Sequence, residues 1–529
     1  MKWDNKAMER KSRKKYAVLN SSISTALQIV QLLAQFVSRS LFIHYLGMEL
    51  LGLNGLFINV LTYLNFAELG IGSAITYSLY KPLNDRDYKQ IRAIMVMFRK
   101  IYMTIGTLIL FVGVGASLFI PSFTGGKTFV DGIDVRVAFL LALLNTALSY
   151  FWSYKRTLLI ADQLGYLNVL NTVLFNIVGQ ALQVTFLIVY KNFYLFLLIQ
   201  VLVMLLSNLR ISMVVNKKYP YLKDKNDAKV DDSVIQNLKK NIFGMSSAKL
   251  GGIVVNGTDN LLLSFYVGLN AVGLYSNYTM IISGITQVVS QLVSSVTASI
   301  GNLAVQTKDS MNQVDKEKKI FNQYFTISSV LAVILAVGFA GFSASFVKIW
   351  IGTKAVFPLF ITTIISINFL IQLLRQPLIN YTNAYGLYWQ ERWKPLFEAS
   401  VNFILSWILV KYTDLSVAGV LIGTIASNLL VNLVWESWIV IKYAIHANLW
   451  EFLRNYISYI VTGSVLIYLA GVMSDYLFKS GIAVNMVANF VNVFVTYYIV
   501  LLINKIIGLD GVTFPSIKHI LKIVTKLRR

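Results

Sequence analysis

The stretch FVSRSLFIHYLGMELLGLNGLFINVLTYLNFAELGIGSAITYSLY, residues Phe36–Tyr80, decides how the chain is read. It holds two long apolar runs joined by a short turn, with Arg39 inside the first run and Glu68 inside the second. About 20 apolar residues are enough to cross a bilayer core. A charge inside such a run is costly unless it faces a wet cavity or a partner. The pattern predicts a membrane protein built around a polar interior.

Composition agrees. The chain has 529 residues, of which 56% are hydrophobic and 13% charged, against about 25% charged in an ordinary soluble domain. The formal charge of +23 would suit a nucleic-acid partner if it were spread over a soluble surface. Instead, most Lys and Arg fall in the segments that alternate membrane passes would place inside. The charge therefore reports orientation and attraction to anionic lipid, and no nucleic-acid partner is expected. There are no cysteines, which excludes disulfides, thiolate metal sites and cysteine nucleophiles.

Working outward, the sequence predicts fourteen spans with both termini cytoplasmic. Residues 1–20 are a basic N-terminus, 21–215 a first set of six spans, and 216–240 a polar cytoplasmic linker. Residues 241–445 form a second set of six, 446–505 a final pair, and 506–529 a basic tail. The linker, NKKYPYLKDKNDAKVDDSVIQNLKK, is the most polar stretch in the chain. The two sets repeat. Tyr45-Leu46-Gly47 aligns with Tyr266-Val267-Gly268, and the same offset of 221 residues (45 to 266) puts Gly52-Leu53 on Gly273-Leu274. Spans six apart share an orientation, so the repeats are parallel, related by an axis along the membrane normal.

Four cations sit within spans: Arg39, Arg210, Lys249 and Arg375. The embedded acids counted against them are Glu68 and Asp259. Arg210 lies near a span end and is expected to snorkel to the interface. Arg39 and Lys249 serve either a cavity or an ion pair with Glu68 or Asp259. Glu68 is either such a partner or a proton or sodium relay. Pro377, two residues after Arg375, frees a backbone carbonyl and makes either a hinge or a fixed kink. The repeat places Arg39 and Asp259 at nearly equivalent depths, as candidates for a gate pair. His44, His446 and His519 are scattered, and no metal site or catalytic set emerges.

The run RSLFIHYLGMELLGLNGLFINVLTYLNFAELGIGSAITYSLYKPL resembles the start of bacterial polysaccharide transporters. These are the Wzx-like lipid-linked oligosaccharide flippases of the multidrug/oligosaccharidyl-lipid/polysaccharide exporter superfamily. The resemblance is closest over roughly the first hundred residues. It implies an all-α fold of two pseudo-twofold-related six-helix lobes in a V around a central cavity, plus a C-terminal helix pair. It implies a substrate as well, an undecaprenyl-diphosphate-linked oligosaccharide moved across a bacterial plasma membrane. On that reading Arg39, Lys249 and Arg375 meet the diphosphate, Asp259 and Glu68 gate or couple, and Pro377 is a hinge. Glycosyltransferases and a polymerase of the same pathway are the implied protein partners. No cofactor is implied, though a proton or sodium gradient is a candidate driving force. A drug or cation antiporter of the same superfamily is the alternative, with an acidic cavity expected. A membrane polysaccharide polymerase is a weaker one, because no outside loop is long enough to hold an enzyme site.

Overall fold

The computed structural model describes residues 13–65, 71–162, 164–223, 257–306, 311–477 and 481–506. Glu68 and Lys249 lie outside them, as does the linker beyond residue 223. The described chain is a polytopic all-α protein. It divides into two compact units, residues 1–277 and 278–529.

The first unit contains α1 (Arg13–Leu64), α2 (Ile71–Asp85), α3 (Tyr88–Ser117), α4 (Val135–Ala161), α5 (Gly165–Tyr190) and α6 (Phe193–Lys218). Local chemistry sets the helix ends. Asp87, Asp134 and Asn192 each accept backbone N–H bonds at an N-terminus. Lys191, in the left-handed region, closes α5 one residue before Asn192 opens α6. The loop before α4 contains a two-stranded hairpin, Phe129–Val130 against Ile133–Asp134. Asp131 and Gly132 turn it with positive φ, the geometry that Asp-Gly favours. The apolar faces meet in a core that includes Phe42, Phe57, Phe98, Phe139 and Phe193.

The first expected span and the start of the second, to Leu64, are the two helices that make up α1, joined at Gly47, whose φ 83° and ψ 174° are not helical; the rest of the second falls in α2. Gly268, the counterpart of Gly47 in the repeat, ends a π-helical turn (Leu263–Val267) with φ 112° and ψ 165°. After it begins α7 (Leu269–Gln306), whose start belongs to the first unit. The repeat is thus visible in the backbone, and its two copies also touch. A Cβ on Gly52 would meet the backbone of Leu269, and one on Gly273 would meet the backbone of Met48. Each contact maps onto the other by the same offset of 221 residues (48 to 269, 52 to 273). Only glycine lets two helices approach so closely.

The second unit contains the rest of α7, then α8 (Met311–Trp350), α9 (Leu359–Tyr385), α10 (Lys394–Tyr412) and α11 (Val417–Ser427). The last continues through π-helical turns at Asn428–Asn432 and Ile441–Ile445. The final pair, α12 (Leu449–Leu477) and α13 (Ile482–Ile506), packs on α8. A buried polar clasp fixes it. Asn485 donates to Ser345 and Ser474, and Asn489 donates to the Gly341 carbonyl.

Ten helices among the described residues are long and apolar enough to cross a membrane, by length and composition. Several of the fourteen expected spans fall outside that set for identifiable reasons. The bent α1 counts once, and α2 has only 15 residues. Most of the seventh span lies outside the described residues. The 19-residue α10 carries Lys394, Glu398 and Lys411.

Candidate functional site

The first unit holds a half-open cavity of about 670 Å³. Fourteen of its twenty described lining residues are Asn, Gln, Ser or Thr, so the chamber is polar in the middle of an apolar bundle. Each wall is a stripe at helical spacing. Gln31 and Gln35 come from α1, and Asn145, Ser149, Ser153 and Arg156 from α4. Thr172, Asn176, Gln180 and Gln183 come from α5, and Gln200, Ser207 and Asn208 from α6. Residues three or four apart share a helix face, so each helix turns one polar stripe inward. Gly179 brings α5 against Val203 of α6, closing one side.

Arg156 is the one ionised residue among the described lining residues. Its Nη1 donates to Thr172 Oγ1 at 3.1 Å, and its Nη2 donates to Ser207 Oγ at 3.2 Å and Asn208 Oδ1 at 2.6 Å. Asn171 braces Ser207 from behind. All three acceptors are neutral, so among the described residues the guanidinium is held in place without a counter-ion. Three further lining atoms are buried with no hydrogen-bond partner: Arg156 Nε, Asn145 Oδ1 and Gln180 Oε1. Buried polar groups are almost always paired. All three are shielded as they stand, and the two amide oxygens reach the chamber only by rotation about their terminal torsions.

This site was not among the sequence candidates. Those candidates lie elsewhere. Arg39 donates from Nε to Asn277 Oδ1 at 2.6 Å and from Nη2 to Ser276 Oγ. It joins α1 to the start of α7 near the Gly52–Gly273 crossing. Asp259 is buried in the same unit, within electrostatic reach of Tyr63 and Tyr275. Its neighbour Asn260, the repeat counterpart of Arg39, faces Asn59 at 3.4 Å. Arg210 is exposed, with its guanidinium 5.9 Å from the Phe175 ring centre. Glu68 and Lys249 lie outside the described residues.

Arg375 sits in the second unit, inside a closed charge cluster. Its Nε and Nη2 donate to Glu436 at 3.1 and 2.6 Å, and Nη1 donates to Asn428 at 2.6 Å. Glu398 lies 3.6 Å from Nη1, and Lys394 donates to Glu436 at 2.6 Å. Asn432 donates to both Glu398 and Asn428. The π-helical turn Asn428–Asn432 supplies both asparagines, and Pro377 lies buried two residues beyond Arg375. The count of embedded charge from sequence is corrected here. Glu398 and Glu436 are buried acids that it omitted, and with Lys394 and the nearby Glu391 they bring this cluster to two cations and three carboxylates. The signal was present as lone glutamates inside apolar runs. Only the fold shows that they meet Arg375.

No protein-family model and no curated protein sequence matches this chain. Solved structures do match. One is a multidrug resistance MATE family transporter of the MOP superfamily, with TM-score 0.58 and 15% identity, covering 80% of this chain and 98% of that one. Another is the lipid II flippase MurJ, with TM-score 0.59 and 15% identity, covering 92% and 98%. A third is a MOP superfamily transporter from Pyrococcus furiosus, described as having reverse polarity in its binding pocket. It has TM-score 0.54 and 16% identity, and covers 83% and 98%. At these identities the likeness is one of fold: this chain has the polytopic helical architecture of MOP superfamily transporters.

Proposed function

We propose that the protein is a flippase that moves a lipid-linked oligosaccharide, an undecaprenyl-diphosphate-linked repeat unit of a cell-surface polysaccharide, across a bacterial plasma membrane. The loading leaflet is cytoplasmic, as the positive-inside bias suggests, and the lobes work by alternating access. The observation that carries the reading is the chamber lined with amides and hydroxyls. A sugar is a dense array of hydroxyl donors and acceptors, and such walls replace its water bond for bond. A flat aromatic drug offers few groups to satisfy them. The extent of the fold match supports the same choice. The flippase aligns with 92% of this chain and the MATE transporter with 80%.

The test is reconstitution into vesicles with a fluorescent undecaprenyl-diphosphate-linked sugar supplied in one leaflet. Transfer to the other leaflet should be faster than in protein-free vesicles, and ethidium efflux should stay at background. Ethidium efflux without lipid transfer would establish the antiporter reading instead.

A further inference from the structure

The chamber in the first unit carries one formal charge among its described lining residues, on Arg156. Arg156 is half-buried, and its hydrogen-bond partners among the described residues are all neutral, so its charge is uncompensated and favours an anion as the guest. Geometry then narrows the anion. A guanidinium has five N–H donors. Both on Nη2 go to Ser207 and Asn208, and one on Nη1 goes to Thr172. The Nε–H has no protein partner but is shielded as it stands, so one N–H on Nη1 is what remains for a guest. A forked grip suits carboxylate and phosphate alike and is closed to both, because Nη2 has nothing left to give. Charge then decides between them. A diphosphate brings two or more negative charges to a chamber with one cation among its described lining residues, and a sugar carboxylate brings one. The orphan amide oxygens Asn145 Oδ1 and Gln180 Oε1 lack donors. Ring hydroxyls supply them after rotation about the soft terminal amide torsion.

We infer that this cavity is a subsite for an acidic sugar, a uronate-type ring whose carboxylate pairs with Arg156 and whose hydroxyls donate to Asn145 and Gln180. The inference rests on the glycan-flippase reading and adds the class of sugar.

The absence of native cysteines allows a clean reporter. Ser153 lines the chamber, and Ser153→Cys in the full-length protein in nanodiscs can be labelled with a maleimide. Cellobiouronic acid, cellobiose and sodium pyrophosphate serve as probes, each at millimolar concentration. The uronate should protect the thiol at about tenfold lower concentration than cellobiose, as a charge-assisted bond against a neutral one predicts. Pyrophosphate should not protect. Arg156→Gln should erase the preference for the uronate while leaving protection by cellobiose, and Arg156→Lys should retain much of it. Protection by pyrophosphate but not by the uronate would overturn the inference and leave the flippase intact. Equal protection by uronate and cellobiose would make Arg156 a structural brace only. If no probe protects while vesicles still transfer the lipid-linked sugar, the cavity is not a sugar subsite. If transfer is absent as well, the flippase reading falls with it. The comparison of probes on the otherwise wild-type protein decides the matter even if Arg156→Gln fails to fold.

Discussion

Glu436→Gln is the sharpest single test of how the second unit is held together. Glu436 is wholly buried and accepts from Arg375 twice and from Lys394 once. The amide keeps the shape and removes the charge, leaving two buried cations with Glu398 at 3.6 Å from Arg375 and the half-buried Glu391 within electrostatic reach. Breaking a buried pair by removing one partner costs about 3–5 kcal/mol, most of it the burden of the stranded charge. In a unit of this size that lowers the melting temperature by on the order of 10 °C. The assay is thermal unfolding of the detergent-solubilised protein, followed by loss of the monodisperse chromatographic peak. Arg375→Gln should cost less, because Glu436 keeps Lys394. The double variant Arg375→Gln/Glu436→Gln should be more stable than Glu436→Gln alone, since one charge of each sign has gone. The reasoning fails if Glu436→Gln melts within about 2 °C of the parent, or if the double variant is no better than that single. A stable Arg375→Gln that has lost lipid transfer would instead return Arg375 to the diphosphate role expected from the sequence.

Two further outcomes follow from the first unit. Gly52→Ala and Gly273→Ala each drive a methyl into backbone atoms and should cost about 1–3 kcal/mol, nearly equally. Gly115→Ala, with open space around it, should be neutral or slightly stabilising in the same melting assay. Burial holds the Asp162 carboxyl above its ordinary value, partly offset by the hydroxyl of Tyr219 donating at 2.6 Å and by the charge of Lys218. A raised carboxyl contributes stability that is full below the unfolded value of about 4 and is lost as pH rises through the folded one. Asp162→Asn should therefore flatten the pH dependence of melting in that range and gain on the parent toward neutrality. A pH profile unchanged by the substitution would refute this.

The turn motif of the repeat was legible because glycine has a backbone meaning. Gly47 and Gly268 take positive φ and Gly52 and Gly273 take a close crossing, whatever surrounds them. The amide chamber was not legible by the same means. Hydropathy averages over a span, and α5 still reads as apolar enough to cross a membrane with Thr172, Asn176, Gln180 and Gln183 along one side. Ranking residues by charge compounded the omission, since it drew attention to Arg375 and passed over uncharged stripes at spacing three and four. The periodicity of amides within apolar helices was the unused signal. The pairing of Arg375 with Glu436 is of another kind. Those residues are 61 apart in sequence, and their contact depends on how α9 and α11 pack.

Charge compensation, rather than charge number, separates the two transporter readings. An antiporter that takes up cations needs a carboxylate open to its cargo. In the second unit, Glu436 is gripped by an arginine and a lysine, and Glu398 accepts from Asn432 at 2.6 Å beside the same arginine. An incoming cation would have to displace these donors and strand a buried guanidinium, at a cost of several kcal/mol. No carboxylate lines the chamber of the first unit among its described residues, and Arg156 there has only neutral partners. A cation entering that chamber meets like charge and no acid, whereas an anion meets a guanidinium already held in place. The count of four embedded cations in the sequence overstated the attraction for an anion, because Arg375 spends its charge within the protein. Arg156, which that count left out, keeps its charge for whatever enters the chamber.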